Sequence, residues 1–317
     1  MLSVVVPVFN EEESLKAFFA ELIKVVPALS ADYEIIFVDD GSVDKSLEIL
    51  KGFVKKYKKI KIFAFRKNIG KAEALTFGFI QAKGEYIVTL DADLQDIPSE
   101  IHKLLAKTKE GVEVVCGWRK NRKDKSRMKI ISKLFNFFAS NFFGLRIHDY
   151  NCGLKVYTHD AAKSLRLYGG LHRFIPLIVH QQGFIVDEVE VAHQARKFGK
   201  SKYGFSKLWR DLPDMFTMLF LVKYSKRPLH FFGVAGSLLL LLGVGIFTYL
   251  SVLWFGGETI GRRPLFFTSI LLIISGLQVF FTGFLADLMI NIAQNAQGSE
   301  TAHIHFPLKY SSDKQEK

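Results

Sequence analysis

Two uncharged apolar segments near the C-terminal end of this chain constrain its fold most strongly. Neither Phe231–Phe255 nor Pro264–Ala286 contains a charged residue. At a rise of about 1.5 Å per residue, a helix over either segment can cross the ~30 Å hydrocarbon core of a bilayer. We therefore expect two transmembrane helices, at about residues 230–255 and 264–288. Buried core helices of a soluble protein are the alternative interpretation.

The connection between these segments, Gly256–Arg263, is short. A short connection predicts an antiparallel hairpin whose two long flanks lie on one side of the membrane. Lys223, Lys226 and Arg227 precede the first segment and favour the cytoplasm for that side, whereas the two arginines of the connection weakly favour the opposite orientation. We therefore expect a multi-pass protein of the inner (plasma) membrane.

Three regions follow from this placement. We expect a cytosolic domain at residues 1–225, the two transmembrane helices within 226–291 and a cytosolic polar tail at 292–317. Leu2–Val8 runs directly into the polar residues Asn10–Glu12, so we expect no secretory signal peptide there.

The composition agrees with a protein that works at a membrane. The chain is 49% hydrophobic and carries a net charge of +12. This charge suits nucleic acid as well as an anionic bilayer and phosphorylated substrates, and the apolar hairpin favours the lipid bilayer, so we expect no nucleic-acid partner. Cys116 and Cys152 form no C-x-x-C motif and are expected to pack in the core, without a disulfide scaffold or zinc site.

The first part of the chain alternates short apolar runs with amphipathic stretches. Strands are expected at Leu2–Val8, Tyr33–Val38, Ile60–Phe65, Tyr86–Leu90 and Val112–Cys116. Helices are expected at about Glu12–Val26, Asp44–Tyr57, Lys71–Ala82 and Pro98–Lys109. This alternation predicts an α/β fold with a mainly parallel sheet covered by helices.

Four successive strand ends carry polar residues: Pro7–Glu11, Asp39–Ser42, Arg66–Gly70 and Asp91–Asp93. Ligands of such sheets bind beyond the carboxyl ends of the strands, so these residues are expected to line one crevice. Each segment taken alone could equally be a turn or a helix cap. No G-x-G-x-x-G motif follows the first strand and no P-loop motif occurs, which disfavours a dinucleotide oxidoreductase or P-loop NTPase and favours a metal-bridged pyrophosphate.

The strongest of these signals is Asp91-Ala92-Asp93, with Gln95 close behind, directly after the apolar run Tyr86–Leu90. Extended residues two apart point the same way, so both carboxylates are expected to converge. Such oxygen ligands suit Mg²⁺ or Mn²⁺ shared with substrate phosphates. A solvated turn whose acids cap the following helix is the alternative.

Two stretches combine basic with aromatic residues, at about residues 126–144 and 203–225. They are expected to be helices in the lipid headgroup layer, although ordinary amphipathic core helices would have the same pattern. Between them, His193–Tyr203 is basic and interrupted by glycine. It is expected to meet an anionic headgroup, the alternative being a solvated loop.

Six motifs in this order resemble those of a known enzyme family. They are Val6–Glu12, Val38–Ser42, Asp91–Gln95, Gly117–Arg119, Asp149–Gly153 and Arg196–Tyr203. The first four are similar to the family 2 glycosyltransferases, which have the GT-A fold. The last two narrow the resemblance to the polyprenyl-phosphate branch, which includes dolichol-phosphate-mannose synthase and bactoprenol glucosyltransferases.

The resemblance implies roles for individual residues of the cytosolic GT-A catalytic domain. The expected nucleotide-sugar contacts are Pro7, Phe9, Glu11, Asp39, Asp40, Asp91, Ala92 and Asp93. The expected metal ligands are Asp91, Asp93 and Gln95. The expected contacts to the lipid phosphate are Arg119, Arg127, Arg196 and Lys202. The expected catalytic residues are Asp91, Asp93 and Asp149, the last as a base or as a group that orients a basic side chain.

The resemblance also implies a reaction, an inverting and metal-dependent transfer of a hexose from a nucleoside diphosphate to a polyprenyl phosphate at the cytoplasmic membrane face. Glucose is the favoured sugar, for example from UDP-glucose to undecaprenyl phosphate, by a homodimer or homotetramer. Phe9 and Cys152 depart from the family pattern, and Phe9 leaves the base open because a phenyl ring donates no hydrogen bond. Alternatives are mannosyl or other sugar transfer, a processive polysaccharide synthase, and a non-catalytic module that binds sugar nucleotides.

Overall fold

The structure, a computed structural model, describes residues 1–120, 144–194, 228–261 and 264–296. The chain divides into two compact units, Met1–Asp214 and Met215–Lys317. The helices expected in the headgroup layer, at about 126–144 and 203–225, lie outside the described residues apart from Gly144.

One seven-stranded sheet forms the centre of the first unit. Its strands are β1 (Leu2–Val8), β2 (Tyr33–Asp39), β3 (Ile60–Ala64), β4 (Tyr86–Thr89), β5 (Val114–Trp118), β6 (Lys155–Thr158) and β7 (Val186–Glu190). They lie in the order β3-β2-β1-β4-β6-β5-β7, and β6 runs antiparallel to both of its neighbours while the other described pairs are parallel. The expected mainly parallel sheet is confirmed, with two strands that were not predicted, β6 between β4 and β5 and β7 at the edge next to β5.

Helices connect the strands. They are α1 (Leu15–Leu29), α2 (Ser46–Lys56), α3 (Lys71–Gln81), α4 (Ile101–Thr108), α5 (His159–Ser164) and α6 (Ile175–Gln181), with 3-10 turns at Pro98–Glu100 and Gly169–Arg173. Of these helices, α1 to α4 follow the expected alternation, while α5 and α6 were not predicted. The start of α1 was expected at about Glu12 and lies three residues later. The reason is that the N–H groups of Glu11 and Glu12 donate to Ser46 Oγ and Asp44 Oδ2, which holds this stretch in a turn.

The sheet is buried on both faces near β1, because helices cover it on each side. Val4 and Val6 belong to a core with Phe18 of α1 and Phe37 of β2. On the opposite face, α3 approaches so closely that a Cβ at Gly78 would lie 2.3 Å from Val5 Cγ1. Cys116 and Cys152 are free thiols and fully buried, as expected of core residues.

The second unit contains α7 (Pro228–Phe255) and α8 (Pro264–Ala296), both long and apolar enough to cross a membrane. Glycines bring the two helices together: a Cβ at Gly236 would lie 2.6 Å from the backbone nitrogen of Phe280, and one at Gly276 would lie 2.6 Å from that of Leu240. Residue numbers rise on one helix as they fall on the other, so the pair is antiparallel. Helix α8 continues to Ala296, past residue 292 where the polar tail was expected to begin.

Candidate functional site

The loops that follow β1 and β2 are tied to each other at the carboxyl edge of the sheet. The backbone N–H of Asn10 donates to Ser42 Oγ at 3.0 Å, and the N–H of Val43 donates to Asn10 Oδ1 at 2.9 Å. Asn10 has a φ of 54°, which turns the chain sharply after the strand. Pro7 and Phe9 are both partly exposed and leave apolar surface at this edge. The Glu11 carboxylate accepts a hydrogen bond from Ser14 Oγ at 2.8 Å.

Asp39 and Asp40 end β2 in different environments. Asp39 is 1% exposed, and its Oδ2 accepts the N–H of Ser42 at 3.2 Å, while its buried Oδ1 has no hydrogen-bond partner among the described residues. Both oxygens of Asp40 are engaged: they accept Asn68 Nδ2 at 2.7 Å and the N–H groups of Ile69 and Gly70 at 2.8 to 3.1 Å. Asp40 therefore stabilises the loop that leads into α3 through these hydrogen bonds, and the sequence pattern did not indicate this role.

Asp91 comes just after β4 and forms an ion pair with a lysine that the sequence pattern did not indicate. Lys71, the first residue of α3, places Nζ 2.5 Å from Oδ1 and 2.7 Å from Oδ2 of Asp91. Burial raises the pKa of Asp91, but the ammonium groups of Lys71 and Lys155 lower it more, so the pKa lies below its ordinary value. Burial, then Lys71 and Arg173, lowers the pKa of nearby His172 to about 3, which leaves that imidazole neutral at pH 7.

The chain turns back on itself between Asp93 and Gln95. Leu94 has a φ of 62°, a left-handed conformation that costs about 1–2 kcal/mol for a residue other than glycine. The turn brings the N–H of Gln95 to Asp93 Oδ1 at 3.1 Å, while Ala92 and Asp93 are buried. Backbone strain of this kind occurs where a side chain has to be held in one position.

Asp96 is a third carboxylate of this cluster and was also missed. A Cβ at Gly153 would lie 2.5 Å from Asp96 Oδ2 and 2.8 Å from Asp91 Oδ2, so any larger residue at this position would have to displace the two carboxylates. Burial, with the carboxylates of Asp91 and Asp93 nearby, raises the pKa of Asp96 to about 7. We call Asp91, Asp93 and Asp96 the acidic cluster.

Asp149 and Arg119 form a two-point ion pair beside the acidic cluster. Arg119 Nε donates to Asp149 Oδ2 at 2.7 Å and Nη2 donates to Oδ1 at 3.1 Å, with side chains 10% and 3% exposed. The N–H of Asn151 also donates to Asp149 Oδ1 at 3.1 Å. The geometry therefore favours Asp149 as the group that orients a basic side chain, and that side chain is Arg119.

The other three residues expected at the lipid phosphate, Arg127, Arg196 and Lys202, lie outside the described residues. Thus the structure brings Arg119 to the acidic cluster, and the expected lipid-phosphate contacts of all four residues stay predictions.

A divalent cation fits the oxygen ligands of the acidic cluster only in partnership with a bound phosphate. Within the described ranges, no three His, Cys, Asp or Glu side chains are placed to hold a metal ion. Both oxygens of Asp91 face Lys71, so Asp91 would be a poor metal ligand, and the expected roles of Asp93 and Gln95 stay predictions. One or two protein oxygens completed by substrate phosphates are the usual arrangement for Mg²⁺. The pKa of Asp96 is raised first by burial and then by the charges of Asp91 and Asp93, and a cation would offset those charges.

Comparison with protein families gives one match at the first unit. The model of the family described as Glycosyl transferase family 2 matches residues 3–166, which hold β1 to β6 and the acidic cluster.

Two relatives match most of the chain. Dodecaprenyl-phosphate galacturonate synthase of Rhizobium johnstonii is 35% identical over 301 residues, covering 91% of this chain and 87% of that protein. Undecaprenyl-phosphate 4-deoxy-4-formamido-L-arabinose transferase of Proteus mirabilis is 36% identical over 253 residues, covering 80% of this chain and 76% of that protein.

Among solved structures, glucosyl-3-phosphoglycerate synthase from Mycobacterium tuberculosis is similar, in a complex with Mn²⁺, uridine-diphosphate-glucose and phosphoglyceric acid. It has a TM-score of 0.53 and 18% identity, covering 69% of this chain and 78% of that one. The likeness confirms the expected GT-A fold.

Proposed function

The chain belongs to glycosyl transferase family 2, and we propose that it transfers a sugar from a nucleoside diphosphate to a polyprenyl phosphate at the cytoplasmic face of the inner membrane. One observation carries the proposal. The same chain joins an acidic cluster at the carboxyl edge of a GT-A sheet to two helices long enough to cross a membrane. An acceptor that is phosphate at one end and isoprenoid at the other needs both parts.

The donor nucleotide is proposed to lie along the ends of β1 and β2. Pro7 and Phe9 offer partly exposed apolar surface on which a base can stack. Asp39 Oδ1, which no described residue pairs with, is a buried acceptor that a donor group of the base would satisfy. Asp93 and Gln95 would hold a divalent cation together with the diphosphate, and that cation would stabilise the charge on the departing nucleoside diphosphate.

The acceptor phosphate is proposed to supply the nucleophile. One of its oxygens attacks the anomeric carbon from the side opposite the diphosphate, a carbon–oxygen bond forms there, and the bond to the diphosphate breaks with its electron pair. Because a phosphate monoester carries roughly −1.5 to −2 charges at pH 7, it needs positioning more than deprotonation. Arg119, fixed by Asp149, is the described cation best placed for this task.

The sugar is the least constrained part of the proposal. Glucose is the expectation from the sequence, whereas the two relatives are named for galacturonate and 4-deoxy-4-formamido-L-arabinose. These sugars differ in charge and in substituents, so the names support lipid-phosphate glycosylation more strongly than any one sugar. A homodimer or homotetramer stays a prediction that light scattering on the purified chain tests.

The test offers the purified full chain a panel of labelled donors with undecaprenyl or dolichyl phosphate. The donors are UDP-glucose, UDP-galactose, UDP-galacturonate, UDP-4-deoxy-4-formamido-L-arabinose and GDP-mannose. We expect label in the organic phase only when lipid phosphate, divalent cation and a matching donor are all present. Binding of donors without transfer to any lipid phosphate would support a non-catalytic module instead, and labelled polymer would support a polysaccharide synthase.

A further inference from the structure

Strand β6 contains a lysine at the centre of the sheet. Lys155 is 3% exposed and lies between Thr89 of β4 and Cys116 of β5. Removing an ammonium group from water costs several kcal/mol unless acceptors and negative charge compensate it. A lysine at this position therefore requires local compensation.

That compensation comes from residues next to Asp149 and the acidic cluster. Among the described residues, the one hydrogen-bond acceptor of Lys155 Nζ is the carbonyl oxygen of Cys152. The negative charge comes from Asp91, which lies two residues after Thr89, the β4 residue paired with Lys155, and whose carboxylate lies against Gly153. The ammonium group of Lys155 thus donates a hydrogen bond to the backbone at Cys152, and its positive charge attracts the carboxylate of Asp91.

We call residues 149–154 the acceptor loop. Within it, residues before and after Cys152 contact Arg119 and the acidic cluster. Asp149 holds Arg119 at one end. At the other end, Gly153 lies close to the carboxylates of Asp91 and Asp96. Its carbonyl oxygen accepts a hydrogen bond from Thr89 Oγ1 at 2.9 Å. A displacement of the Cys152 carbonyl would move both ends of the acceptor loop.

We propose that Lys155 is a positioning residue for the transfer reaction, whose buried ammonium group fixes the acceptor loop so that Arg119 and the acidic cluster face each other in the reactive arrangement. The inference rests on the proposed function. It assigns Lys155 no contact with donor or acceptor. Its effect passes through the Cys152 carbonyl and through the charge beside Asp91.

The test compares Lys155→Met with the wild-type full chain in lipid nanodiscs. Hydrogen exchange of the peptide that spans residues 149–154, followed by mass spectrometry without any substrate, reports on the acceptor loop directly. We expect exchange there to become at least about tenfold faster. With the donor of the panel that gives the highest wild-type turnover, kcat should fall about 10- to 100-fold, as for other residues that orient a reactive group. KM for the donor should stay within about threefold, because the β1 and β2 loops hold each other independently.

Lys163→Met is the matched control. Lys163 donates to the carbonyl oxygens of Phe79, Ile80 and Ala82 at the C-terminal end of α3, away from the acidic cluster. This variant should lose stability with wild-type kcat and wild-type exchange in the acceptor loop. Lys155→Arg, which restores the charge, should recover part of the lost kcat.

Wild-type kcat and exchange in Lys155→Met, or a loss confined to donor KM, would overturn the proposal. If Lys155→Met does not fold, Lys155→Gln keeps a hydrogen-bond donor without the charge, and a kcat equal to that of Lys155→Arg would equally overturn the charged role. If the wild-type chain transfers no sugar, the proposed function fails, while the exchange measurement still decides whether Lys155 holds the loop.

Discussion

Lys71 Nζ lies 2.5 Å and 2.7 Å from the two carboxylate oxygens of Asp91, so one ammonium group covers both. The two side chains are 35% and 33% exposed, which leaves the pair open to a ligand in the crevice. Solvent at this exposure weakens the attraction, so the pair contributes little to stability. Because Lys71 engages both oxygens of Asp91, the pair supports our proposal that Asp93 and Gln95, rather than Asp91, hold the metal.

We expect Lys71→Met to lower kcat about 10- to 100-fold with little change in the melting temperature, because Asp91 loses its orienting partner and the acidic cluster gains unbalanced charge. Steady-state kinetics in the organic-phase assay measure the loss. Lys67→Met is the control, since it removes one positive charge from an exposed position in the loop that precedes α3. Equal losses in both variants would indicate a general charge effect and contradict the specific role of Lys71.

Asp93 should be the most sensitive carboxylate of the acidic cluster. Asp93→Ala is expected to reduce transfer by at least about 10²- to 10³-fold, because the charge on the departing diphosphate loses its main compensation. Wild-type activity should disappear in excess EDTA and return with Mn²⁺ or Mg²⁺. Titration of Mn²⁺ by electron paramagnetic resonance, in the presence of UDP, should show weaker binding by Asp93→Ala. Full activity of this variant in EDTA would refute the metal role.

Variants of the Asp149–Arg119 pair distinguish whether Asp149 orients Arg119 or acts as a base. If Asp149 only fixes Arg119, then Asp149→Asn, Arg119→Met and the double variant should have similar kcat values, because the two residues act as one unit. If Asp149 is a base, Asp149→Asn should lose more activity than Arg119→Met and should lose the acid limb of the pH–rate profile. Each single change breaks a buried ion pair, at a cost of up to about 3–5 kcal/mol, so melting temperatures belong in the same experiment.

The sequence was informative about elements whose signal is local. The apolar run of β1 matches the predicted strand residue for residue, and α3 starts at Lys71 as expected. Strand β6 was missed because a central strand buried on both faces lacks alternation, and a lysine within it indicates a solvent-exposed position on composition alone. The antiparallel insertion of β6 also depends on pairing with strands far away in the chain.

The candidate site was predictable where its residues follow strands and not where they pair at a distance. Asp91 and Asp93 stand out because they come just after the apolar run Tyr86–Leu90, which contains β4. Nothing in the sequence links Asp91 to Lys71, or Asp149 to Arg119, since each contact depends on where a loop lies in space. Asp96 carried a signal that could have been used, because it lies three residues after Asp93 within the same turn region.

Asp40 is expected to contribute to stability as well as to any nucleotide contact. Its carboxylate accepts hydrogen bonds from Asn68, Ile69 and Gly70 while 3% exposed. Removing these charge-assisted bonds in Asp40→Ala should cost about 2 kcal/mol or more. A lower melting temperature of the detergent-solubilised chain measures the effect, with exposed Asp32→Ala as the control. Unchanged stability with a raised donor KM would instead support a role limited to the nucleotide.

The close packing of α7 and α8 can be tested with two glycines of this helix pair, one in close contact and one without contacts. Gly276 lies so close to α7 that a Cβ would be 2.6 Å from the backbone nitrogen of Leu240, whereas a Cβ at Gly245 would meet nothing within 4 Å. Small residues let membrane helices approach in this way, and a larger side chain has to push the backbones apart.

We therefore expect Gly276→Leu to lower the melting temperature and the yield of membrane-inserted protein, and Gly245→Leu to leave both unchanged. Cysteine pairs placed across α7 and α8 should cross-link efficiently in Gly245→Leu and poorly in Gly276→Leu. Equal cross-linking in the two variants would contradict the close antiparallel packing. A loss of transfer activity in Gly276→Leu that exceeds its loss of inserted protein would show that the helix pair also influences access of the lipid acceptor to the catalytic domain.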